Sequence, residues 1–363
     1  MNQLAGFNQA QFLRDTWQQK PLLIRGAVDA LPTLSPEELA GLALEPDVAA
    51  RLVVGAEPDW SVDTGPFDAR SFASEGPWSL LVEAVDHYLP EVAELRSLLP
   101  FLPSWRFDDI MVSYATDGGG VGPHFDHYDV FLLQGMGKRR WQIGQACTPE
   151  TPQRDAAGLR LLEHFELQEE YLLEPGDILY LPPGRAHWGI ADGPCMTYSL
   201  GFRSPRLRDL IARQLDSLLE TMGPDLFFVD ATPSDGAARP GEITDLQIAA
   251  ARAQVAAALT LVKENGHWFG ELVTEPGHDP LVPAPSASLP RVLRLDPASR
   301  LAWSQAEDGL TVYANGERCT PGNDVLDLVI SLCAGSPVDC EHVTAAERAF
   351  LEAQWRAGLL VDE

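Results

Sequence analysis

Two imidazoles and one carboxylate could hold a catalytic iron in this chain: His124 and Asp126, two residues apart, and His187, 63 residues beyond His124. A 2-His-1-carboxylate set occupies one face of an octahedral metal and leaves three positions for a bidentate co-substrate and dioxygen, so the chemistry it implies is oxidation. Residues i and i+2 of a strand point to the same side, which lets His124 and Asp126 both face a barrel interior while Phe125 points away. A second copy, His127-Tyr128-Asp129, has the opposite parity and cannot face inward on the same regular strand. One pair must lose, and His127 is read as structural. With 8 histidines and 53 acidic residues in the chain, roughly one His-x-Asp/Glu arises by chance. The weight therefore falls on the surroundings of His187.

Gly176-Asp177 is a turn signal, Ile178 to Leu181 a short apolar strand, and Pro182-Pro183-Gly184 a second turn before His187. The spacing Gly176-x5-Pro182-x-Gly184-x2-His187 matches a cupin pattern at four positions, and Gly118 stands six residues before His124, as in the first cupin motif. The bland alternative for His187 is a histidine that caps a turn after Pro-Gly. Between the two halves lies Gln134-Gly135-Met136-Gly137-Lys138-Arg139-Arg140-Trp141-Gln142-Ile143. Alternation puts Arg139, Trp141 and Ile143 on one face and Lys138, Arg140 and Gln142 on the other. The apolar partners place Arg139 inside, where a guanidinium could hold the far carboxylate of a dicarboxylate co-substrate through two parallel hydrogen bonds. A solvated basic patch on an edge strand is the competing reading, and suits Lys138 and Arg140 better.

These segments resemble the JmjC-type, 2-oxoglutarate-dependent oxygenases of the cupin superfamily, and within them the bacterial ribosomal oxygenases. The resemblance rests on Gly118-Gly119-Gly120-Val121-Gly122-Pro123-His124-Phe125-Asp126-His127-Tyr128-Asp129-Val130-Phe131 and on Gly176 to His187. It extends to Trp17 through Gly26 and to Val312 through Glu317. It implies a mainly β fold with helices, namely a double-stranded β-helix (jelly-roll) core, a helical dimerisation segment and a C-terminal winged-helix-like domain. It also implies Fe(II) on His124, Asp126 and His187, 2-oxoglutarate anchored by Arg139, and dioxygen as the oxidant. The expected activity is hydroxylation of the β-carbon of an arginine in the sixteenth large-subunit ribosomal protein, with succinate and carbon dioxide as co-products. One departure stands out. The family's serine near the co-substrate falls on Ala115, and Thr116 next door is the candidate substitute, although strand parity points it the other way. Asp117, beside the glycine loop, is a candidate partner for the substrate guanidinium. A JmjC-type N-methyl demethylase or histidyl hydroxylase begins its reaction identically, and formaldehyde release separates demethylation. A non-oxidative cupin more often uses three histidines with a glutamate, so Asp126 and Arg139 count against it.

Composition agrees. At 45% hydrophobic residues a core is ample. No basic start followed by an apolar segment and no membrane-length apolar run is present, so a cytoplasmic protein without membrane association is expected. Five cysteines without zinc-type spacing fit reduced thiols. A formal charge of -27 argues against direct nucleic-acid binding and suits a basic ribosomal protein as partner.

Residues 1–204 are expected to form the catalytic barrel with an N-terminal buttress. Its strands include Asp109–Ala115, His124–Gln134, Arg139–Ile143, Ile178–Leu181 and Met196–Phe202. Residues 205–274 read as helical. Leu207, Leu210, Ile211, Leu215, Leu218, Leu219 and Met222 make an apolar stripe, and Thr244 with Gln247 signals a second helix start. The resemblance implies a homodimer formed through this segment. Glu275 to Pro290 holds five prolines and reads as a linker. Residues 288–363 resemble a winged helix, with helices near Asp324–Cys333 and Thr344–Trp355. Neither carries a basic face, so protein contact is expected there rather than DNA binding.

Overall fold

Short apolar strands separated by Gly and Pro turns close into one antiparallel sheet of nine strands. The computed structural model describes residues 4, 7–56, 59–73, 75–229, 241, 243–261, 266–277, 288–306 and 309–362. Much of the expected linker, residues 278–287, lies outside them. In chain order the first half runs α1 (Gln9–Asp15), β1 (Leu22–Ile24), α2 (Pro36–Leu42), β2 (Ala50–Ala56), β3 (Asp59–Thr64), β4 (Trp78–Val82) and α3 (Pro90–Ala93). The barrel strands follow: β5 (Phe107–Ala115), β6 (Asp129–Ala146), the hairpin β7 (Gln153–Ala156) and β8 (Leu159–Leu162), β9 (Glu169–Leu173), β10 (Ile178–Leu181) and β11 (Arg185–Phe202). The order across the sheet is β1-β10-β6-β11-β5-β4-β2-β3, with β9 paired to β6.

Two strand expectations need correction. His124 is not on a regular strand: β6 begins at Asp129, and His124 joins the sheet only through an isolated bridge, its N–H donating to the His187 carbonyl at 3.0 Å and its carbonyl accepting from the His187 N–H at 2.8 Å. Pro123 supplies no N–H, and the ladder stops there. Nor do Gln134 and Arg139 lie on separate strands. Residues 129–146 run as one strand through a bulge at Gly135–Gly137, where pairing with β11 shifts register around Met196. Gly137 has φ +62°, and a Cβ on Gly135 would meet the Tyr198 ring at 2.3 Å. The bulge inserts one residue and therefore reverses the alternation. Before it Val130 and Leu132 point into the barrel; after it Arg139, Trp141 and Ile143 do.

The opposite face of the same strands carries Ile110, Val112, Phe131, Leu133, Ile178, Tyr180, Tyr198, Leu200 and Phe202, which pack against the N-terminal helices in the largest core cluster. Phe12 is its aromatic centre, 5.0 Å from the Tyr180 ring and 5.8 Å from that of Phe131. Ser35 and Glu38 form a capping box that starts α2, and Pro36 opens its first turn. The N-terminal segment thus buttresses the outer sheet face, leaving the inner face to line a cavity.

Beyond the barrel come α4 (Leu207–Thr221), α5 (Asp245–Leu261) and α6 (His267–Thr274). Thr244 and Gln247 hydrogen-bond reciprocally at the start of α5, as the capping signature predicts. The last unit holds β12 (Val292–Leu295), β13 (Leu301–Ala306), β14 (Gly309–Ala314), β15 (Glu317–Cys319), α7 (Leu326–Cys333), β16 (Val338–Asp339), α8 (Ala345–Arg356) and β17 (Leu360–Asp362), around a core of its own. Thr344 and Glu347 cap α8 with a second box. Arg356 pairs with Glu352 at 3.0 Å, and Arg348 bonds the Cys340 carbonyl.

A charged seam joins this unit to the barrel. Arg300 hydrogen-bonds the Phe107 carbonyl and the Asp108 carboxylate, and Arg96 donates to the Pro297 carbonyl at 3.2 Å. Asp109 sits at this seam and accepts from Ala84 N at 2.9 Å. Burial, together with Asp86 and Asp108, pushes its carboxyl up to about 7. A raised carboxyl pKa favours the folded state at low pH. As pH rises from about 4 to about 7, the unfolded chain has already released a proton that the folded one retains, and stability falls. Asp109→Asn keeps an acceptor for Ala84 and removes the penalty, so it should stabilise by about 1–3 kcal/mol at pH 8 and by progressively less toward pH 4. Urea unfolding at the two pH values checks this, and an equal gain at both would refute it.

Candidate active site

His187 begins the inner run of β11 and is 3% exposed. Its Nδ1 lies 2.9 Å from the Arg185 carbonyl, and His124 Nδ1 lies 3.0 Å from the Gly122 carbonyl. Each bond sets the tautomer, with Nδ1 carrying the proton and Nε2 keeping its lone pair. Asp126 Oδ2 stands 3.6 Å from His187 Nε2, and one ligand atom from each of His124, Asp126 and His187 lies within 4.8 Å of the others. Burial, with His124 second, pushes the His187 imidazole down to about 4, so it is neutral at pH 7, as a metal ligand must be. Among the described residues these three form the cluster that could hold a metal ion.

The glycine loop ahead of His124 permits this approach. A Cβ on Gly120 would meet the Gly189 carbonyl oxygen at 2.4 Å, and one on Gly119 the Trp78 carbonyl oxygen at 2.4 Å. The competing carboxylate, Asp129, is fully buried on the other side of the sheet. It accepts from Tyr180 Oη at 2.6 Å, Arg106 Nη2 at 2.9 Å and Gln18 Nε2 at 3.0 Å. His127 is exposed and meets the Phe125 ring edge-on at 5.3 Å. Parity divides the two His-x-Asp pairs as expected, although through a bridge and a loop rather than a regular strand.

The three residues open onto a cavity of about 380 Å³. Leu81, Met111, Val130, Leu132 and Trp141 give it apolar walls, and Ser79, Ser113 and Arg139 are polar groups on its lining. Arg139 is 5% exposed. Its Nη1 donates to Ser113 Oγ at 3.0 Å and to Thr197 Oγ1 at 3.3 Å, and the Trp141 ring stands 5.7 Å from its Cζ. Thr197 passes its own proton to Gln134 Oε1 at 3.1 Å. No carboxylate among the described residues pairs with this guanidinium, and burial lowers its pKa from the usual value. A buried cation without a counter-ion suits a cavity that takes an anionic ligand.

Thr116 does not join this group. Its hydroxyl accepts from Trp78 N at 2.9 Å and donates to the Gly76 carbonyl at 3.1 Å, outside the cavity lining. Parity explains this, since Ala115 points inward and its neighbour cannot. Ser113, two residues back on the inward face, places its hydroxyl on the cavity lining beside Arg139 instead. The signal was readable as i−2 from Ala115 on β5. Asp117 is exposed at the end of the same strand and accepts from Gly193 N at 2.8 Å.

A family model for the JmjC domain matches residues 94–210, and one for a ROXA-like winged helix matches residues 260–357, beginning within the segment assigned above to the helical unit. Ribosomal protein uL16 3-hydroxylase of Escherichia coli (strain K12) is 36% identical over 336 residues, covering 89% of each chain. This chain belongs to the JmjC ribosomal oxygenase family. A probable ribosomal oxygenase of Haemophilus influenzae is 43% identical over 204 residues, 55% of this chain and 50% of that protein. The X-ray structure of E. coli ycfD superposes with a TM-score of 0.84 at 32% identity over 99% of both chains. A second structure of that ribosomal oxygenase, in complex with cobalt and 2-oxoglutarate, gives 0.81 over the same share. The jelly-roll core and C-terminal winged helix of a JmjC oxygenase are therefore those of this chain.

Proposed function

We propose that this oxygenase hydroxylates the β-carbon of an arginine in large-subunit ribosomal protein uL16, with His124, Asp126 and His187 holding Fe(II) and Arg139 anchoring 2-oxoglutarate. The observation that carries the reading is one cavity lined both by the His-Asp-His cluster and by a buried arginine lacking a carboxylate partner. Iron, 2-oxoglutarate and dioxygen supply the oxidation when bound. The chain's own part is positional. Nδ1 bonds aim two imidazole lone pairs, Arg139 presents its fork to the far carboxylate, and apolar walls exclude water. Ser113 Oγ adds a hydroxyl beside Arg139. Asp117 is the proposed partner of the substrate guanidinium, placed at the end of β5 next to the glycine loop. Its Oδ1 bond to Gly193 N would hold the carboxylate in place while the other oxygen receives the guanidinium.

Intact and fragment mass spectrometry of uL16 incubated with the protein, Fe(II), 2-oxoglutarate and oxygen tests this. The expected gain is about sixteen mass units on one arginine, a single inserted oxygen, with no formaldehyde released. Formaldehyde from a methylated peptide would favour the demethylase, and succinate without change to uL16 would mean another substrate.

A homodimer and a cytoplasmic location complete the proposal. No helix among the described residues is long and apolar enough to cross a membrane. On α4, Leu207, Ile211, Leu215 and Leu219 are 70%, 49%, 38% and 66% exposed, and on α5 Leu246 and Val255 are 51% and 58% exposed. So much apolar surface on two helices consecutive in the chain fits burial against a second copy. Ile211→Glu with Leu219→Glu should shift the protein from dimer to monomer in sedimentation velocity, weakening association at least about a hundredfold. An unchanged dimer would move the interface elsewhere.

A further inference from the structure

On β4, Ser79 is 1% exposed, lines the cavity of His124, Asp126, His187 and Arg139, and has no hydrogen-bond partner for its Oγ. A buried hydroxyl left unpaired carries a desolvation penalty, and native cores seldom keep one without a use. Its cross-strand partner is Ala115. Directly opposed residues share a face of the sheet, so Ser79 looks inward with Ala115, and a methyl group there cannot satisfy it. The next inward pair toward the metal cluster is Leu81 with Ser113, and Ser113 is the residue whose Oγ takes the Arg139 proton. Ser79 therefore stands one step along the inward face from the guanidinium's own hydroxyl partner.

A carboxylate docked on Arg139 brings two oxygens with about four lone-pair directions. Within the described residues, Arg139 Nη1 is shared with Ser113 and Thr197, and Thr197 gives its proton to Gln134. The guanidinium fork leaves lone pairs of the carboxylate unfilled; Ser113, which accepts from Arg139, and the Trp141 indole N–H also hold protons that no protein acceptor takes, and Ser79 alone among the three has its oxygen wholly unpartnered as well. Building on the reading of the cavity as a 2-oxoglutarate site, we propose that Ser79 is a further co-substrate-binding residue, its hydroxyl donating to the distal carboxylate beside Arg139.

The test compares 2-oxoglutarate with 2-oxopentanoate, which has the same keto-acid head and no distal carboxylate. Both are titrated calorimetrically into full-length protein loaded with Mn(II), which permits binding without turnover. Ser79→Ala is expected to weaken 2-oxoglutarate about five- to twentyfold, as for one hydrogen bond to a charged group, and to leave 2-oxopentanoate unchanged. In the Fe(II) enzyme the loss should sit in KM for 2-oxoglutarate rather than in kcat. Adding Ala115→Ser in the Ser79→Ala background returns a hydroxyl to the facing position and should recover most of the affinity. Metal-free Ser79→Ala should have an unchanged or higher Tm, because an unpartnered buried hydroxyl has been removed.

Equal weakening of both keto acids, intact 2-oxoglutarate affinity, or a variant that loses Tm or fails to fold would each overturn the assignment by giving the hydroxyl a structural role. A wild-type protein that binds neither keto acid would instead sink the reading of the cavity itself. Wild-type discrimination that survives in Ser79→Ala sinks only Ser79.

Discussion

His187→Ala is expected to abolish arginine hydroxylation, by roughly 10³-fold or more, while the protein stays folded and still admits 2-oxoglutarate weakly. The size follows from the geometry. Two ligands cannot define one face of an octahedron, and the imidazole removed is the most deeply buried member of the set, 3% exposed against a partly exposed His124 and Asp126. Its backbone is retained, so the reciprocal bridge to His124 that closes the end of the barrel survives. Metal content after dialysis and turnover by mass spectrometry are the two measurements. A variant that bound no metal yet hydroxylated at more than a few per cent of the wild-type rate would remove His187 from the site. Asp126→Ala should behave similarly, and His127→Ala, whose ring lies outside the cluster, should not.

Arg139→Leu separates stability from function. Loss of two charge-assisted hydrogen bonds should raise KM for 2-oxoglutarate at least about a hundredfold, and Arg139→Lys, which keeps the charge but not the fork, about tenfold. Without ligand, the same guanidinium is a buried cation held by two hydroxyls and the Cys195 thiol, with no carboxylate partner among the described residues, and burial lowers its pKa. Leucine is shorter and leaves space where the guanidinium stood, yet removing a buried charge without a counter-ion should leave the metal-free protein about as stable or raise its Tm by a few degrees. Thermal unfolding without and with 2-oxoglutarate tests both halves. The wild type should gain several degrees from the ligand and Arg139→Leu none. A large fall in Tm without ligand would mean that Arg139 serves the fold.

The His-Asp-His cluster was legible because its constraints are local. Gly176, Pro182 and Gly184 specify a turn that delivers His187, and the two-residue spacing of His124 and Asp126 carries their shared direction whether the backbone is strand or bridge. Arg139 was legible by a different route. Its apolar companions Trp141 and Ile143 mark the inner face by alternation, and that holds although residues 129–146 form one strand rather than two. Thr116 was misplaced because proximity to Ala115 in sequence outweighed parity, and parity is the rule that a sheet enforces. The C-terminal winged helix followed from its order of strands and helices, a pattern of short-range signals.

By itself, the sequence determined which residue types stand at which spacing, and so the His-Asp-His cluster, the interior face of the arginine strand and the capped helices. Each is a property of a few neighbouring residues and the period of one element. Tertiary structure alone decided three other matters. The bulge at Gly135–Gly137 reverses the inward face of β6, so that Val130 and Leu132 share one cavity with Arg139. The pairing of β4 with β5 brings Ser79 opposite Ala115, across 36 residues of chain. Asp129, which looks like a ligand in the sequence, is claimed by Tyr180, Arg106 and Gln18 from three distant segments. All three depend on strand register and long-range pairing, where a shift of one residue exchanges the two faces of the sheet, and no local pattern encodes that choice.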